Sequence, residues 1–322
     1  MVDGFYGLLP DAVLDAVEQS GHRATGRVSA LNSLENRVYD VELEGGRRVI
    51  AKFYRPGRWA RDTILDEHRL LAALADHEVA VAPPLPFPDG DTLARTADGI
   101  FLALFPRAGG RDPDAIEPPD LGELGQLLAR IHNVAASLDL GHRPVLSPAT
   151  YGTAGLDVLL GGGVVPSALE ARYADAVRRL VAVGERRFAG VRVSPVHADC
   201  HRGNLLTRMD RGRRVWVFLD FDDMAIAPAV QDLWLLLPAR PADCPEHVDA
   251  FVAGYERFRA FDARTLGLVE VLRGLRYVRY AAWVASRWQD PAFPRAFPGW
   301  GTERYFSEQI ADLHEQLELC EL

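Results

Sequence analysis

The sequence predicts an α+β fold in two lobes, a small β-rich N-terminal lobe followed by a larger, mainly helical C-terminal lobe. Short runs of alternating apolar and polar residues, separated by turn residues, fill the first third of the chain. From Leu121 onward the apolar residues recur mainly at helical spacing, interrupted only by a β-type stretch at 191–221. We therefore expect an N-terminal lobe over residues 1–106 and a C-terminal lobe over residues 107–322.

The predicted N-terminal lobe contains one hairpin, a further strand and two helices. A short helix follows Pro10, because apolar residues recur at helical spacing behind a proline. Gly45 and Gly46 turn the chain between the two hairpin strands. The predicted elements are a helix at 10–20, strands at 38–43 and 48–54, an amphipathic helix at 63–75 and a strand at 99–105.

The predicted C-terminal lobe is a set of five helices around the β-type stretch. In that stretch, two apolar runs flank a polar loop, and the polar segment 207–214 is predicted to be the tip of a hairpin. Glycine and proline clusters at 161–163 and 289–301 predict loops. The helices are predicted at 121–137, 166–187, 244–260, 263–288 and 302–319.

Composition excludes several classes of protein. A net charge of −9 argues against a nucleic-acid surface, which requires basic patches. The apolar runs are too short for a bilayer, and acidic residues in the first fifteen positions do not fit a secretory leader. Three scattered cysteines are typical of a reducing compartment. We expect a cytoplasmic monomer with no membrane or nucleic-acid partner.

The use of lysine singles out one position. Lys and Arg together number 36, yet Lys52 is the only lysine. A general preference for arginine explains the arginines but not the exception. Lysine is a compact point charge, whereas the guanidinium of arginine is a broad planar fork. We infer that the site at Lys52 requires the smaller cation.

The segment 196–206 has the layout of a kinase catalytic loop. Asp199 is followed five residues later by Asn204, in a loop between two predicted strands. In such loops the aspartate orients the attacking hydroxyl and the asparagine oxygen binds Mg²⁺. Sixteen residues after Asn204, a β run ends in Asp220, a carboxylate that suits a metal site.

A second motif lies upstream, at Val49-Ile50-Ala51-Lys52. It closely mirrors the kinase strand whose lysine binds the α- and β-phosphates of ATP. Such a lysine needs a carboxylate partner. Glu67 on the predicted amphipathic helix is the first candidate, and Asp66 is the second.

Together these motifs resemble the aminoglycoside-phosphotransferase and protein-kinase-like superfamily, and within it the bacterial stress-response serine/threonine protein kinases. The resemblance extends over nearly the whole chain and keeps the family order. The matching segments are Leu31–Tyr39, Lys52–Trp59, Ile64–His68, Phe105–Arg111, His197–Asn204, Gln231–Trp234 and Arg287–Pro294.

The resemblance implies a protein-kinase-like fold, the cofactors ATP and Mg²⁺, and a role for each matching residue. Asp199 would be the catalytic aspartate, while Asn204 and Asp220 would bind Mg²⁺. Asp220 would also count among the catalytic residues, since it occupies the position of the kinase metal-binding aspartate. Asp232 would be a buried anchor that ties the catalytic loop to a helix.

The resemblance also implies a nucleotide site. Lys52, held by Glu67, would bind the phosphates, and Ser33 with Asn32 would lie in the loop that covers them. Leu206 would form the floor of the adenine pocket. Phe105, within the stretch 104–106, would lie at the hinge where adenine meets the backbone.

Two features depart from the general kinase pattern. No Gly-x-Gly-x-x-Gly precedes Lys52, so side chains and backbone N–H groups of 32–36 must cover the phosphates. This departure is shared with the stress-response branch. The metal-binding segment reads Asp220-Phe221-Asp222-Asp223 and lacks the usual glycine. Asp222 and Asp223 fit either a solvated surface or an assisting role at the metal.

Several functions are compatible with the sequence. The resemblance indicates a serine or threonine acceptor in a protein, including the enzyme itself. The alternative is a small-molecule kinase acting on the hydroxyl of an aminoglycoside, choline, homoserine or a sugar. A pseudokinase is disfavoured because the catalytic set is intact. A metal hydrolase built on His197 and His201 lacks further ligands at suitable spacing.

Overall fold

The computed structural model describes residues 5–321, which divide into two compact units. Unit 1 contains the N-terminal residues up to Ile116 together with 130–143 and 201–224, and unit 2 contains the rest. The described helices are α1 (Pro10–Gln19), α2 (Arg61–Asp76), α3 (Pro118–Ala136), α4 (Ala154–Gly161), α5 (Ser167–Phe188), α6 (Gln231–Trp234), α7 (Pro245–Tyr255), α8 (Val269–Ser286), α9 (Ala292–Ala296) and α10 (Glu303–Glu321). The strands are β1 (Ala24–Ala30), β2 (Arg37–Leu43), β3 (Arg48–Phe53), β4 (Ala94–Arg95), β5 (Phe101–Pro106), β6 (Ser194–Val196), β7 (Leu205–Asp210), β8 (Arg213–Phe218) and β9 (Ala225–Ala227).

Unit 1 is built on an antiparallel five-stranded sheet in the order β1-β2-β3-β5-β4. Strand β3 is central, and Lys52 on it pairs with Val38 of β2 and Ala103 of β5. Successive side chains of a strand point to opposite faces of the sheet. Val49, Ala51 and Phe53 therefore share one face and join the apolar core that includes α1. Lys52 lies on the other face, where its side chain contacts α2.

A separate hairpin of β7 and β8 completes unit 1. Its turn is only two residues long, since Asp210 pairs with Arg213. Arg211 and Gly212 both have positive φ, at 48° and 80°, as a two-residue hairpin turn of this hand requires. The hairpin predicted at 207–214 is present, but its turn is confined to Arg211 and Gly212. The polar residues continue the two strands because the outer part of this hairpin is exposed.

Unit 2 is mainly helical. Helix α10 packs against α5 and α8, and α4 packs against α8. The short strands β6 and β9 pair antiparallel, with Val196 opposite Ala225. The segment that begins at His197 leaves directly from the end of β6.

Most predicted elements are present within two or three residues of their predicted ends, apart from two of the long helices. The predicted helix 244–260 ends at Tyr255, and 263–288 begins with a 3₁₀ turn at Ala263–Leu268 before α8. The described elements that were not predicted include β1, β4, β9, α4, α6 and the π-helix Pro148–Thr153. The predicted loop 289–301 contains the short helix α9. The predicted division after residue 106 stays a prediction.

No helix within residues 5–321 combines the length and the apolar character needed to cross a bilayer.

Candidate active site

Lys52 lies in a buried cluster of carboxylates in unit 1. Its Nζ is 3.2 Å from Glu67 Oε1, 3.4 Å from Asp222 Oδ1 and 3.8 Å from Asp220 Oδ1. Its ammonium also lies 4.8 Å from the ring centre of Tyr54. Asp66 does not contact this lysine; its carboxylate binds Arg69 and His142 instead.

The cluster keeps Lys52 charged. Burial by itself lowers the pKa of Lys52, but the neighbouring carboxylates of Asp222, Glu67 and Asp220 raise it well above its usual value. A buried ammonium held by several carboxylates is a fixed positive charge. Such a charge suits an anionic group such as a phosphate.

Asp220 and Asn204 are joined through the backbone. The Leu219 N–H donates to the Asn204 carbonyl at 2.9 Å, so the residue before Asp220 is fixed beside Asn204. Asp220 has a left-handed backbone, with φ of 56°, and its carboxylate is 59% exposed. Left-handed φ is uncommon outside glycine and is often found at functional sites. This carboxylate is the accessible one of the cluster.

Asp222, two residues later, is in a very different environment. Its side chain is only 3% exposed, whereas that of Asp223 is 52% exposed. Asp222 Oδ2 accepts hydrogen bonds from Asn36 Nδ2, at 3.0 Å, and from Arg58. Burial raises its pKa, but Arg58 and Lys52 outweigh this effect and hold the pKa of Asp222 well below its usual range.

The loop expected to cover the phosphates precedes β2. Asn32 is exposed and Ser33 is half-buried in this loop. The end of the loop next to β2 is held by Arg55, whose side chain donates to the backbone carbonyls of Leu34 and Glu35 at 2.8 and 2.9 Å. The loop is thus fixed by side chains of a neighbouring segment, as a loop without the usual glycines requires.

The two residues expected at the adenine pocket lie on strands of unit 1. Phe105 is on β5, its ring edge-on to His68 and 6.0 Å from the Lys52 ammonium. Leu206 is on β7 opposite Val217. Gly110 packs so close to Leu206 that a Cβ there would lie 2.8 Å from the leucine Cβ.

Asp199 lies in unit 2, in the loop after β6. This loop is anchored by Asp232, which is fully buried on α6. Its carboxylate accepts from the His197 N–H at 2.8 Å and from the Ala198 N–H at 2.7 Å. Asp232 was expected to tie the predicted catalytic loop to a helix, and these two hydrogen bonds join the loop to α6.

The loop backbone is strained immediately before Asp199. Ala198 has φ of 67°, a conformation that costs a non-glycine residue roughly 1–2 kcal/mol. Gln231 also holds this residue, donating from Nε2 to the Ala198 carbonyl at 2.8 Å. Hydrogen bonds on both sides of Ala198 therefore stabilise a backbone turn that sets the direction of Asp199.

One residue beside Asp199 was missed by the sequence motifs. Arg276 on α8 donates from Nη2 to Asp199 Oδ1 at 2.9 Å. The carboxylate is 23% exposed and the guanidinium 40% exposed, so both stay accessible. The two residues are 77 positions apart, and no local pattern signals the contact.

Comparison with known proteins identifies the family of the chain. Residues 27–269 match the family described as "Phosphotransferase enzyme family". Stress response kinase A of Escherichia coli is 37% identical over 318 residues, covering 98% of this chain and 95% of that protein. The serine/threonine protein kinase RdoA of Salmonella typhimurium is 36% identical over 316 residues, covering 98% and 94%.

A solved structure has the same fold. Amicoumacin kinase hAmiN, in complex with AMP-PNP, Ca²⁺ and Ami, gives a TM-score of 0.72 at 19% identity, covering 94% of this chain and 92% of that one. The predicted kinase-like α+β fold is confirmed. The chain belongs to the phosphotransferase enzyme family and is a kinase that transfers phosphate to a hydroxyl group.

Proposed function

We propose that this chain is a serine/threonine protein kinase that transfers the γ-phosphate of Mg–ATP to a hydroxyl of a protein. The observation that carries the proposal is the charged Lys52, buried against Glu67 and within 4 Å of Asp220 and Asp222. This cluster supplies one fixed cation for phosphate and one accessible carboxylate for a metal. Both are required for phosphoryl transfer.

The donor set fits Mg²⁺. Magnesium usually takes one or two protein carboxylates and completes its shell with water and phosphate oxygens. Asp220 offers an exposed carboxylate, and Asn204, fixed beside it, offers an amide oxygen. In the described part of the chain no group of three or more His, Cys, Asp and Glu residues forms an all-protein cage. Bound Mg²⁺ would neutralise charge on the phosphates.

In the mechanism that we propose, Lys52 binds the phosphates and Glu67 keeps its ammonium in place. Asp199 orients the acceptor hydroxyl and accepts its proton as the oxygen attacks the γ-phosphorus. The bond from the γ-phosphorus to the β,γ-bridging oxygen breaks, and ADP leaves. Because the transition state of such reactions is loose, positioning and charge neutralisation supply most of the acceleration.

Identity over almost the whole chain supports a protein acceptor. Relatives named as a stress response kinase and a serine/threonine protein kinase cover 98% of this chain at 36–37% identity. Ser33 and Asn32, in the loop before β2, would lie over the nucleotide, with Phe105 and Leu206 around its base. These roles are part of the proposal.

The experiment is phosphate transfer from γ-labelled ATP with Mg²⁺, with and without a generic protein acceptor, followed by identification of the labelled amino acid. We expect label on serine or threonine of the acceptor or of the enzyme. An Asp199→Asn sample is the blank. If the wild type binds ATP but labels no protein, and instead labels an amine- or sugar-bearing alcohol, the acceptor is a small molecule and the protein-kinase proposal is wrong.

A further inference from the structure

Asp222 joins three parts of unit 1 through one buried carboxylate. Its Oδ2 accepts from Asn36, at the end of the loop before β2, and from Arg58, at the start of the chain segment leading to α2. Its Oδ1 makes no hydrogen bond to any residue of the described range 5–321 and lies 3.4 Å from the Lys52 ammonium. The backbone carbonyl of Asp222 accepts from the Arg143 guanidinium.

Arg58 links Asp222 to a second residue of the loop, Glu35. Its side chain is 8% exposed and its guanidinium is stacked over Trp59, 4.9 Å from the ring centre. Besides Asp222 it binds Asp223, at 2.5 Å, and lies 3.7 Å from Glu35 of the loop. Burial lowers the pKa of Arg58, but these three carboxylates outweigh it and raise the pKa above its usual value.

The cluster therefore fixes the relative positions of the loop, of Lys52 and of the segment that carries Asp220. Buried charges are tolerated only when they are paired, so removing one member leaves its partners uncompensated. Asp220 and Asp222 differ in how accessible their carboxylates are. Asp220 is 59% exposed, whereas Asp222 has its Oδ2 already occupied and its Oδ1 against an ammonium.

We propose that Asp222 is a positioning residue for nucleotide binding and not a metal ligand. It holds Lys52, Asn36 and Arg58 together, and this ion-paired cluster replaces the glycine-rich loop that is missing before Lys52. The inference rests on the proposed binding of Mg–ATP to this site. Nucleotide affinity should then depend on Asp222 to the same degree with and without metal.

The test measures ATP dissociation constants by displacement of a fluorescent ATP analogue, in Mg²⁺ and in EDTA. Asp222→Asn should weaken ATP binding about tenfold both in Mg²⁺ and in EDTA, the scale of one charge-assisted hydrogen bond. The dissociation constant in EDTA divided by that in Mg²⁺ then stays at the wild-type value. Asp220→Asn, which alters the proposed metal ligand, should reduce this quotient. Asp210→Asn is the matched control, because Asp210 is an exposed aspartate at the end of β7 and is not part of the cluster.

Two results would overturn the proposal. The first is loss of the Mg²⁺ dependence in Asp222→Asn, as in Asp220→Asn, which would make Asp222 a metal ligand. The second is ATP binding as tight in Asp222→Asn as in Asp210→Asn. The exchanged pair Asn36→Asp with Asp222→Asn keeps a hydrogen bond between the two positions, and we expect it to recover most of the lost affinity.

Thermal unfolding of each variant controls for loss of structure. If Asp222→Asn does not fold, Arg58→Met, which leaves the Lys52–Asp222 pair intact, must weaken ATP binding equally in Mg²⁺ and EDTA. The assay needs no acceptor. A wild type that binds Mg–ATP but labels no protein would refute the proposed acceptor alone, whereas a wild type that binds no ATP would refute the proposed function itself.

Discussion

At the scale of single residues, the ion pair between Arg276 and Asp199 has a direct consequence for turnover. A guanidinium bound to Asp199 Oδ1 restricts the rotation of the aspartate side chain. In the proposed mechanism this side chain orients the acceptor hydroxyl. Arg276 is then a positioning residue that acts through Asp199.

We expect Arg276→Ala to lower kcat about tenfold while leaving the affinity for ATP unchanged, because small misplacements of reacting groups are costly. Arg276→Lys should recover part of the loss. Arg279→Ala is the control, since Arg279 is exposed one turn away and its guanidinium lies over Tyr151, 5.5 Å from the ring centre. Equal kcat values in Arg276→Ala and Arg279→Ala would refute this role.

The residues that sequence motifs predicted are those whose partners follow a known spacing. Lys52 and Glu67 are fifteen residues apart and meet in the structure. The roles given to them, and to Asp199, Asn204 and Asp220, stay predictions until they are measured. Arg58 and Asp222 are 164 residues apart, so their contact depends on tertiary packing that no local pattern encodes.

At the scale of elements, the short helix α6 determines the shape of the loop that carries Asp199. Asp232 accepts two backbone N–H groups and Gln231 binds a carbonyl of the same loop. Trp234 donates to Gln231 Oε1 at 3.0 Å and so holds that side chain in turn. The one-turn helix α6 thus stabilises the left-handed backbone conformation of Ala198, which alanine does not favour.

Asp232→Asn replaces one of the two accepting oxygens by an amide N–H that faces a backbone donor. We expect a loss of roughly 1–3 kcal/mol in the free energy of unfolding, the cost of an unsatisfied buried group, together with a lower kcat. Urea unfolding and steady-state kinetics measure both. Asp249→Asn, exposed on α7, is the matched control. Unchanged stability and kcat in Asp232→Asn would remove the anchoring role.

The elements that were predicted and those that were missed differ in a physical way. Long helices have a buried face, and that face repeats in the sequence. Strand β1 was missed because all of its residues are half-buried or exposed, so no apolar alternation marks it. Helix α4 was missed because eight residues with a glycine at each side of its apolar run are too short for a clear period.

At the scale of the whole molecule, His68 makes stability depend on pH. Its ring nitrogens bind the Tyr54 hydroxyl at 3.1 Å and the Thr92 hydroxyl at 2.8 Å. Burial, assisted by Lys52, lowers the pKa of His68 to about 3, although Asp91 and Asp222 oppose the shift. The folded protein therefore keeps this histidine neutral at pH values where the unfolded chain protonates it.

The direction of this pH dependence follows from the number of protons that the folded and unfolded states bind. Below about pH 6.5 the unfolded state binds one proton more than the folded state, so acid favours unfolding. We expect this group to remove about 1.4 kcal/mol of the free energy of unfolding per pH unit between about pH 6 and pH 4. His68→Gln should show a correspondingly smaller slope in urea unfolding than the wild type. His77→Gln, which changes an exposed histidine, should not; equal slopes in all three proteins would contradict the prediction.

The family resemblance read from the motifs is confirmed over almost the whole chain by the relatives. The fold was predictable because the motifs occur in order and the helices are periodic. The assignment of 201–224 to unit 1 was not, because it depends on contacts made far along the chain.

The most direct test of the proposed phosphotransfer mechanism compares binding and turnover in one variant, Asp199→Asn. We expect the dissociation constant for Mg–ATP to stay close to that of the wild type, because Lys52, Asn204 and Asp220 are intact. The rate of label transfer from γ-labelled ATP should fall roughly 10²-fold or more, the scale of losing a general base. A variant that transfers phosphate at the wild-type rate would show that Asp199 is not the catalytic residue.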